Sequence, residues 1–288
     1  MTHAAPYDLA VAYRIYPGVS KIPPYHADNK YKMSELCLRS FKASLGTLKV
    51  KIWALLDGCP PEYEALFREI FADDTLEVLN LDKLGNLKTF SMQIDILAEQ
   101  TDAELVYFAE DDYFYLPGAL TKMVDFIRAN KDADFVSPYD HPDAYDTAFK
   151  VERHFIRPFG DRYWRSAGFT CLTFLTTRAT LIRTKGIFRT FCYKNWDYSV
   201  WIALTRKLSL ADLRIYWHDI HHLKIWVKTF MYGTPRLLFG RYHRLWMPLP
   251  SLSTHMESTR LAVLEDWPTH FADFERNKER VPAKNETW

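Results

Sequence analysis

The sequence predicts an α/β protein: a mostly parallel central sheet flanked by helices, continued by an irregular second half. Two observations carry this. Strand-like and helix-like segments alternate through residues 1–140, the pattern of a doubly wound sheet. Polar and charged residues recur where three of those strands end, the edge at which such sheets bind ligands. The composition agrees: 48% hydrophobic and 25% charged residues over 288 positions exclude a disordered or low-complexity chain. The net charge of +1 leaves no overall field for nucleic acid, which is not expected as a partner.

Residues 8–16 (DLAVAYRIY) are apolar and aromatic enough for a buried first strand, followed by a Pro/Gly loop. Met33, Leu36, Cys37, Phe41 and Leu45 fall at helical spacing over 31–45. Residues 48–56 read as a second strand ending at Asp57-Gly58, and Pro60-Pro61 opens a helix carrying Tyr63, Leu66, Phe67 and Ile70 on one face. Residues 76–81 form a third strand, and 86–99 a helix with Phe90, Ile94 and Leu97 inward. The fourth strand, 104–109, runs into Glu110-Asp111-Asp112. Pro117-Gly118 opens a helix to about Ala129, and 134–138 makes a fifth strand. Thereafter the alternation fails. Residues 153–176 read as strands broken near Gly160-Asp161, and 196–206 as a helix with apolar faces.

The chain begins without a basic segment leading into a long apolar run, and no uncharged stretch of about 18 residues occurs. Neither a secretion signal nor a transmembrane helix is expected, and the expected location is cytoplasmic. Cys37, Cys59, Cys171 and Cys192 match no zinc or disulfide spacing and are expected as reduced thiols. The sequon at Asn285 carries little meaning without secretion.

The most informative segment is LVYFAEDDYFY. Three adjacent carboxylates at a buried strand end need an offsetting cation or other positive group. Mg²⁺ and Mn²⁺ are held by one or two carboxylates plus phosphate oxygens and water, so a diphosphate ligand would complete such a site. An acidic turn capping the next helix is the other reading. FAEDDYFY at this place resembles the acidic metal-binding motif of glycosyltransferases with the GT-A fold, in its Glu-Asp-Asp form similar to the inverting N-acetylglucosaminyltransferases and family-2-like nucleotide-sugar transferases. The resemblance implies a GT-A, Rossmann-like domain over 1–258, with a nucleotide-sugar-binding half at 1–140, an acceptor-side half at 141–258 and a C-terminal extension at 259–288. It implies a transferase that uses Mn²⁺ or Mg²⁺ and moves a sugar from a nucleotide-sugar donor, UDP-linked, to a hydroxyl on a glycan or lipid-linked acceptor.

Residue by residue, the resemblance makes Asp112 the metal ligand and Glu110 and Asp111 the sugar contacts. Asp57 takes the position that bonds the uracil ring, although Asp before Gly is also an ordinary turn. Tyr13 and Arg14, ending the first strand, fall where base and ribose are touched. Asn86 and Lys88 lie in the loop that borders the nucleotide; Asn86 is also a candidate N-cap and Lys88 a candidate phosphate contact. Ala167-Gly168 match a small-residue turn beside the donor sugar. Asp197, opening a helix after Trp196, is the expected base, with a favoured first-turn acid as the plainer account. In MPLPSLSTHMES, His255 is the expected second metal ligand, since neutral imidazole suits Mn²⁺. His218, His221 and His222 do not have a metalloprotease spacing.

Between Arg206 and Trp246 eight Lys and Arg face two Asp, and aromatics are frequent, so peripheral contact with the inner face of a membrane through 206–246 is a further expectation. Packing as a helical pair with solvated charges is the alternative. Three rival functions remain: a retaining transferase, a nucleotidyltransferase, disfavoured because the loop after the first strand holds one Gly, and a non-catalytic carbohydrate-binding module, which has no use for the acidic triplet.

Overall fold

The computed structural model describes residues 5–18, 22–145, 154–207 and 220–280, without the side chains of 221–222 and 278–280. A nine-stranded sheet in the order β3-β2-β1-β4-β9-β6-β10-β8-β7 forms its middle. The strands are β1 (Leu9–Ile15), β2 (Val50–Asp57), β3 (Thr75–Leu81), β4 (Leu105–Glu110), β6 (Phe135–Val136), β7 (Ile156–Phe159), β8 (Arg162–Ala167), β9 (Phe174–Thr177) and β10 (Leu245–Leu249). Pairing is parallel from β3 to β4 and between β6 and β10; β9 and β8 run against their neighbours. The sheet is therefore mixed but mostly parallel in direction.

Alternation along β1 explains the helix layers. Leu9, Val11, Tyr13 and Ile15 point into one core with α1 (Lys30–Ser44), α2 (Pro61–Ile70) and α4 (Ala119–Ala129). Ala10 and Ala12 point into the other, with α3 (Asn86–Glu99), α5 (Arg178–Thr190) and α6 (Asp197–Thr205). The alanines on this side leave room for an aromatic block in which Phe108, Phe174 and Phe188 stack at 4.6 and 5.0 Å and Trp201 meets Phe174 edge-on at 5.1 Å. Such pairs are each worth about 0.5–1.5 kcal/mol beyond their buried area.

The expected elements of the first half are present, with differences that have physical reasons. The fifth strand shrinks to β6: Ser137 still gives its amide to the Trp246 carbonyl, but the chain then turns, the Tyr139 amide bonding the Ser137 hydroxyl and the 251–253 segment taking the Pro138 carbonyl. The N-cap of α3 is Gly85, at φ +82°, not Asn86; a left-handed cap suits glycine, and Asn86 is the first helical residue. The expected hairpin at Gly160-Asp161 is β7–β8. Helix α5 was not expected: its start is marked only by Thr177, whose hydroxyl accepts the Thr180 amide. A second, two-stranded sheet pairs β5 (Tyr113–Tyr115) with β11 (Ser253–His255), setting His255 opposite Tyr113.

Helix α7 (Ile220–Phe239) packs on α6, and α8 (Trp267–Arg280) buries Trp267 and Phe271 in the α1-side core against Phe114. The 259–280 part of the expected extension thus closes over the main core; 281–288 lie outside the described residues, as do 208–219 of the basic stretch, including His218. No helix among the described residues is long and apolar enough to cross a membrane. All four cysteines are free thiols.

Candidate functional site

The sheet reverses its strand order at β1, between β2 and β4. The carboxyl ends of such neighbours splay and open a crevice. Register places Arg14 beside Glu110, so their side chains meet in an ion pair. Arg14 also donates to the Asn86 side chain and, at 3.0 Å, to its carbonyl, and lies 5.6 Å over the Phe90 ring. The second Glu110 oxygen accepts the Thr173 hydroxyl at 2.8 Å. Beneath, Gln93 of α3 donates to the Ala12 and Ala109 carbonyls at 2.7 and 3.0 Å, tying β1 to β4 where the crevice begins.

The three adjacent carboxylates turn in three directions. Glu110 faces Arg14 and Thr173. Asp111 faces α1, 2.6 Å from the Lys30 ammonium. Burial raises the Asp111 pKa, and burial alone would depress that of Lys30, but the attraction of Asp111 keeps the lysine above its ordinary value. Asp112 faces the β5–β11 ribbon, with Oδ2 3.2 Å from His255 Nε2. Burial would raise its pKa, yet the neighbouring His255, with Lys30 and Arg14 behind, holds it well below the usual carboxylate range. Its Oδ1 is buried with no hydrogen-bond partner among the described residues. Buried carboxylate oxygens are normally bonded, so this atom can take a cation or a donor from outside the chain.

These residues line a cleft of about 450 Å³. Its far wall is the loop after β3, held by Asp57, whose two oxygens accept the Leu84 and Gly85 amides at 2.6 and 2.8 Å. Lys30 and Lys83 bring positive charge to the wall, and Tyr16, half exposed beyond β1, stands at the rim.

A second cleft of about 370 Å³ adjoins the first and shares His255 with it. Asp197 and Trp196 enter from the start of α6, Phe169 and Tyr198 stack at 4.3 Å, and Ile225 of α7 closes one side. Asp197 Oδ1 accepts the Tyr198 amide at 2.7 Å, the bond expected of an acid in a first helical turn. Opposite lie His141 and Asp143, the latter paired with Arg260. Burial, and then the charge of Asp197, push the Cys171 thiol well up, which keeps it an unreactive neutral group in this cleft.

Of the residues singled out from sequence, Arg14, Asp57, Asn86, Glu110, Asp111, Asp112 and His255 come together in the first cleft, and Asp197 stands in the second. Four line neither. Ala167 ends β8 opposite Leu245 in the α3-side core, and the buried Gly168 gives its carbonyl to the Thr205 hydroxyl. Tyr13 is sealed in the α1-side core between Phe41 and Phe67, since its place in β1 turns it away from Arg14. Lys88 is exposed on α3 outside the cleft. The places of Tyr13 and Lys88 are taken by Tyr16, signalled by Tyr-Pro-Gly at a strand end, and by Lys30 and Lys83, which carry no local signal. Gln93 and Thr173 were missed too, being ordinary polar residues in apolar segments.

A divalent cation fits one point of the first cleft. Among the described residues no three His, Cys, Asp or Glu converge into a cage. Asp112, with its orphaned Oδ1, and the His255 imidazole offer one carboxylate and one nitrogen, a set that suits Mn²⁺ or Mg²⁺ only when a ligand's phosphate oxygens and water fill the remaining positions.

No family model and no curated protein matches this chain. Solved structures of S. aureus TarS 1-349 resemble it. One aligns with 80% of this chain and 81% of its own, at 12% identity and a TM-score of 0.43. The form in complex with UDP aligns over 65% and 55%, at 13% identity and 0.41. The form in complex with UDP-GlcNAc aligns over 45% and 33%, at 15% identity and 0.33, so this chain spans about a third of that one's length.

Proposed function

We propose that this chain is a metal-dependent glycosyltransferase of the GT-A type that moves a sugar from a nucleotide sugar, UDP-linked, to a hydroxyl acceptor with inversion. One observation carries the reading: the acidic strand end commits Glu110 and Asp111 to protein cations and leaves Asp112, with an unpartnered buried oxygen, beside His255 on the boundary of two clefts, the second of which holds Asp197.

The first cleft takes the donor. The nucleotide lies across the ends of β1 and β4, with Tyr16 as an aromatic face for the base and the Asp57-braced loop beside it. Lys83 draws the diphosphate in, and Lys30, by pairing with Asp111, keeps that carboxylate from repelling it. Asp112 and His255 would hold a divalent cation, which would supply Lewis-acid neutralisation of charge on the departing diphosphate. Arg14, by pairing with Glu110, keeps that carboxylate from repelling the phosphates. The acceptor lies in the second cleft against the Phe169–Tyr198 stack and Trp196. Asp197 takes the proton from the acceptor hydroxyl, whose oxygen bonds to the anomeric carbon as the sugar–phosphate bond breaks and its electron pair leaves with the nucleotide diphosphate.

A thermal-shift panel of nucleotide diphosphates and nucleotide sugars, with and without Mn²⁺, tests this. A donor at about 100 times its dissociation constant should stabilise the fold by about 2.7 kcal/mol. The gain should require Mn²⁺ in the native chain and should be lost in Asp112→Ala, with or without Mn²⁺. No stabilisation by any uridine, guanosine or cytidine diphosphate sugar would sink the proposal.

A further inference from the structure

We infer that the outward face of α7 is a docking surface for an anionic lipid bilayer, and that it holds the Asp197 cleft against the membrane. Ile220, Val227, Met231 and Leu238 are 71, 47, 66 and 65% exposed. Steps of seven, four and seven residues place all four on one stripe of an α-helix. Phe239, 86% exposed, ends the helix a little over a quarter-turn round from it. The four side chains share one face of the helix, with Lys224 among them, unlike single apolar side chains scattered over a surface.

The helix is held in this orientation by its other face. Ile225 and Thr229 are buried, and the Ser199 hydroxyl bonds the Ile225 carbonyl at 3.1 Å. Gly233 lies so close to α6 that an added Cβ would come within 2.8 Å of the Ala203 Cβ. A turn of the helix that hid the stripe would break this contact.

Charge selects the occupant. Between Asp219 and Glu257 the sequence holds no acidic residue; Lys224, Lys228 and Arg236 lie on the helix, and Arg241 and Arg244 follow it, paired with Asp134 and Asp132. The chain as a whole carries +1, so the basic excess is local. Lys224 is exposed close to the stripe, and Arg241, 66% exposed, lies beyond its end. A second copy docked about a two-fold axis would set these cations against themselves. An anionic bilayer accepts both the apolar band and the surrounding charge.

The placement has a functional sense that rests on the transferase reading. Ile225, on the inner face of the same helix, lines the Asp197 cleft, and Lys228 lies over Trp196 at its mouth at 5.1 Å. A membrane under α7 brings lipid-anchored hydroxyl acceptors to that cleft and not to the donor cleft.

Flotation of the full chain with phosphatidylcholine vesicles, and with vesicles containing phosphatidylglycerol, tests the docking. Association is expected with the anionic vesicles alone, falling as salt is raised. Met231→Asp/Leu238→Asp should lower vesicle affinity by about tenfold or more while melting as the native chain does, and Lys224→Glu, which leaves the apolar band intact, should lower it by about tenfold. Absence of binding to anionic vesicles at low salt, or binding that neither variant weakens, would overturn the inference. So would a concentration-dependent dimer in solution that the double variant disperses. Donor-induced thermal stabilisation, measured without vesicles, reports on the transferase reading separately: its loss with flotation retained strikes that reading and not the docking.

Discussion

The two clefts that meet at His255 are built in opposite ways. The first grows from the regular part of the fold, at the ends of β1, β2 and β4, and its acids are answered one by one: Glu110 by Arg14, Asp111 by Lys30, Asp57 by two amides. The second is assembled from loops, the start of α6 and a face of α7, with an aromatic stack as its floor. A parallel sheet sets side chains by register and so places charge to within a bond length, the precision that the proposed donor and cation sites call for. Stacked rings and loops tolerate more variation, which suits a surface that recognises a sugar's flat faces. The division implies that substitutions in the first cleft damage binding and folding together, whereas those in the second damage turnover.

Four experiments sharpen or break that division. Asp197→Asn should cut turnover by about 10²–10⁴-fold while donor affinity stays native, as for loss of a general base; steady-state rates beside donor titration check it, and an unchanged rate removes Asp197 from the chemistry. Lys30→Met strands the Asp111 carboxylate inside the protein and should cost about 3–5 kcal/mol of stability in denaturant titration, as when one partner of a buried pair is lost. Lys30→Met/Asp111→Leu should recover much of that loss. Asp57→Asn replaces an accepting oxygen with a donor facing a loop amide and should cost about 1–3 kcal/mol, with weaker donor binding by calorimetry.

A pair remote from both clefts serves as the control. Asp132 is held below its ordinary pKa, first by hydrogen bonds from Arg157 at 2.9 and 3.1 Å. Its contribution is present above the usual carboxylate value near 4 and is lost as pH falls through the depressed one. Asp132→Asn should therefore lower stability by about 1 kcal/mol or less at neutral pH, a difference that closes in acid, with turnover unaffected.

The legible parts of the sequence are those whose cause is local. The apolar run along 8–16 reflects burial on both faces and the helical spacing of 31–45 and 86–99 burial on one, and each yields the element that forms. The acids ending β4 are conspicuous because nothing in a strand needs them. What stays hidden depends on partners far along the chain. Tyr113–Tyr115 looks like the tail of an acidic turn until Ser253–His255 pairs with it. Strand β9 enters between β4 and β6 against their direction, an insertion that no local period encodes. Lys30 is one lysine among many until α1 docks and turns it on Asp111. Tyr13 misleads for a related reason: next to a functional arginine in sequence, it points through the other side of the sheet.

The β5–β11 ribbon joins residues separated by about half the chain, and through it His255 reaches Asp112. During synthesis the early strands can find one another long before the ribosome has delivered Ser253. A nascent chain therefore carries a folded platform whose Asp112–His255 corner stays unfinished until residues 253–255 have emerged.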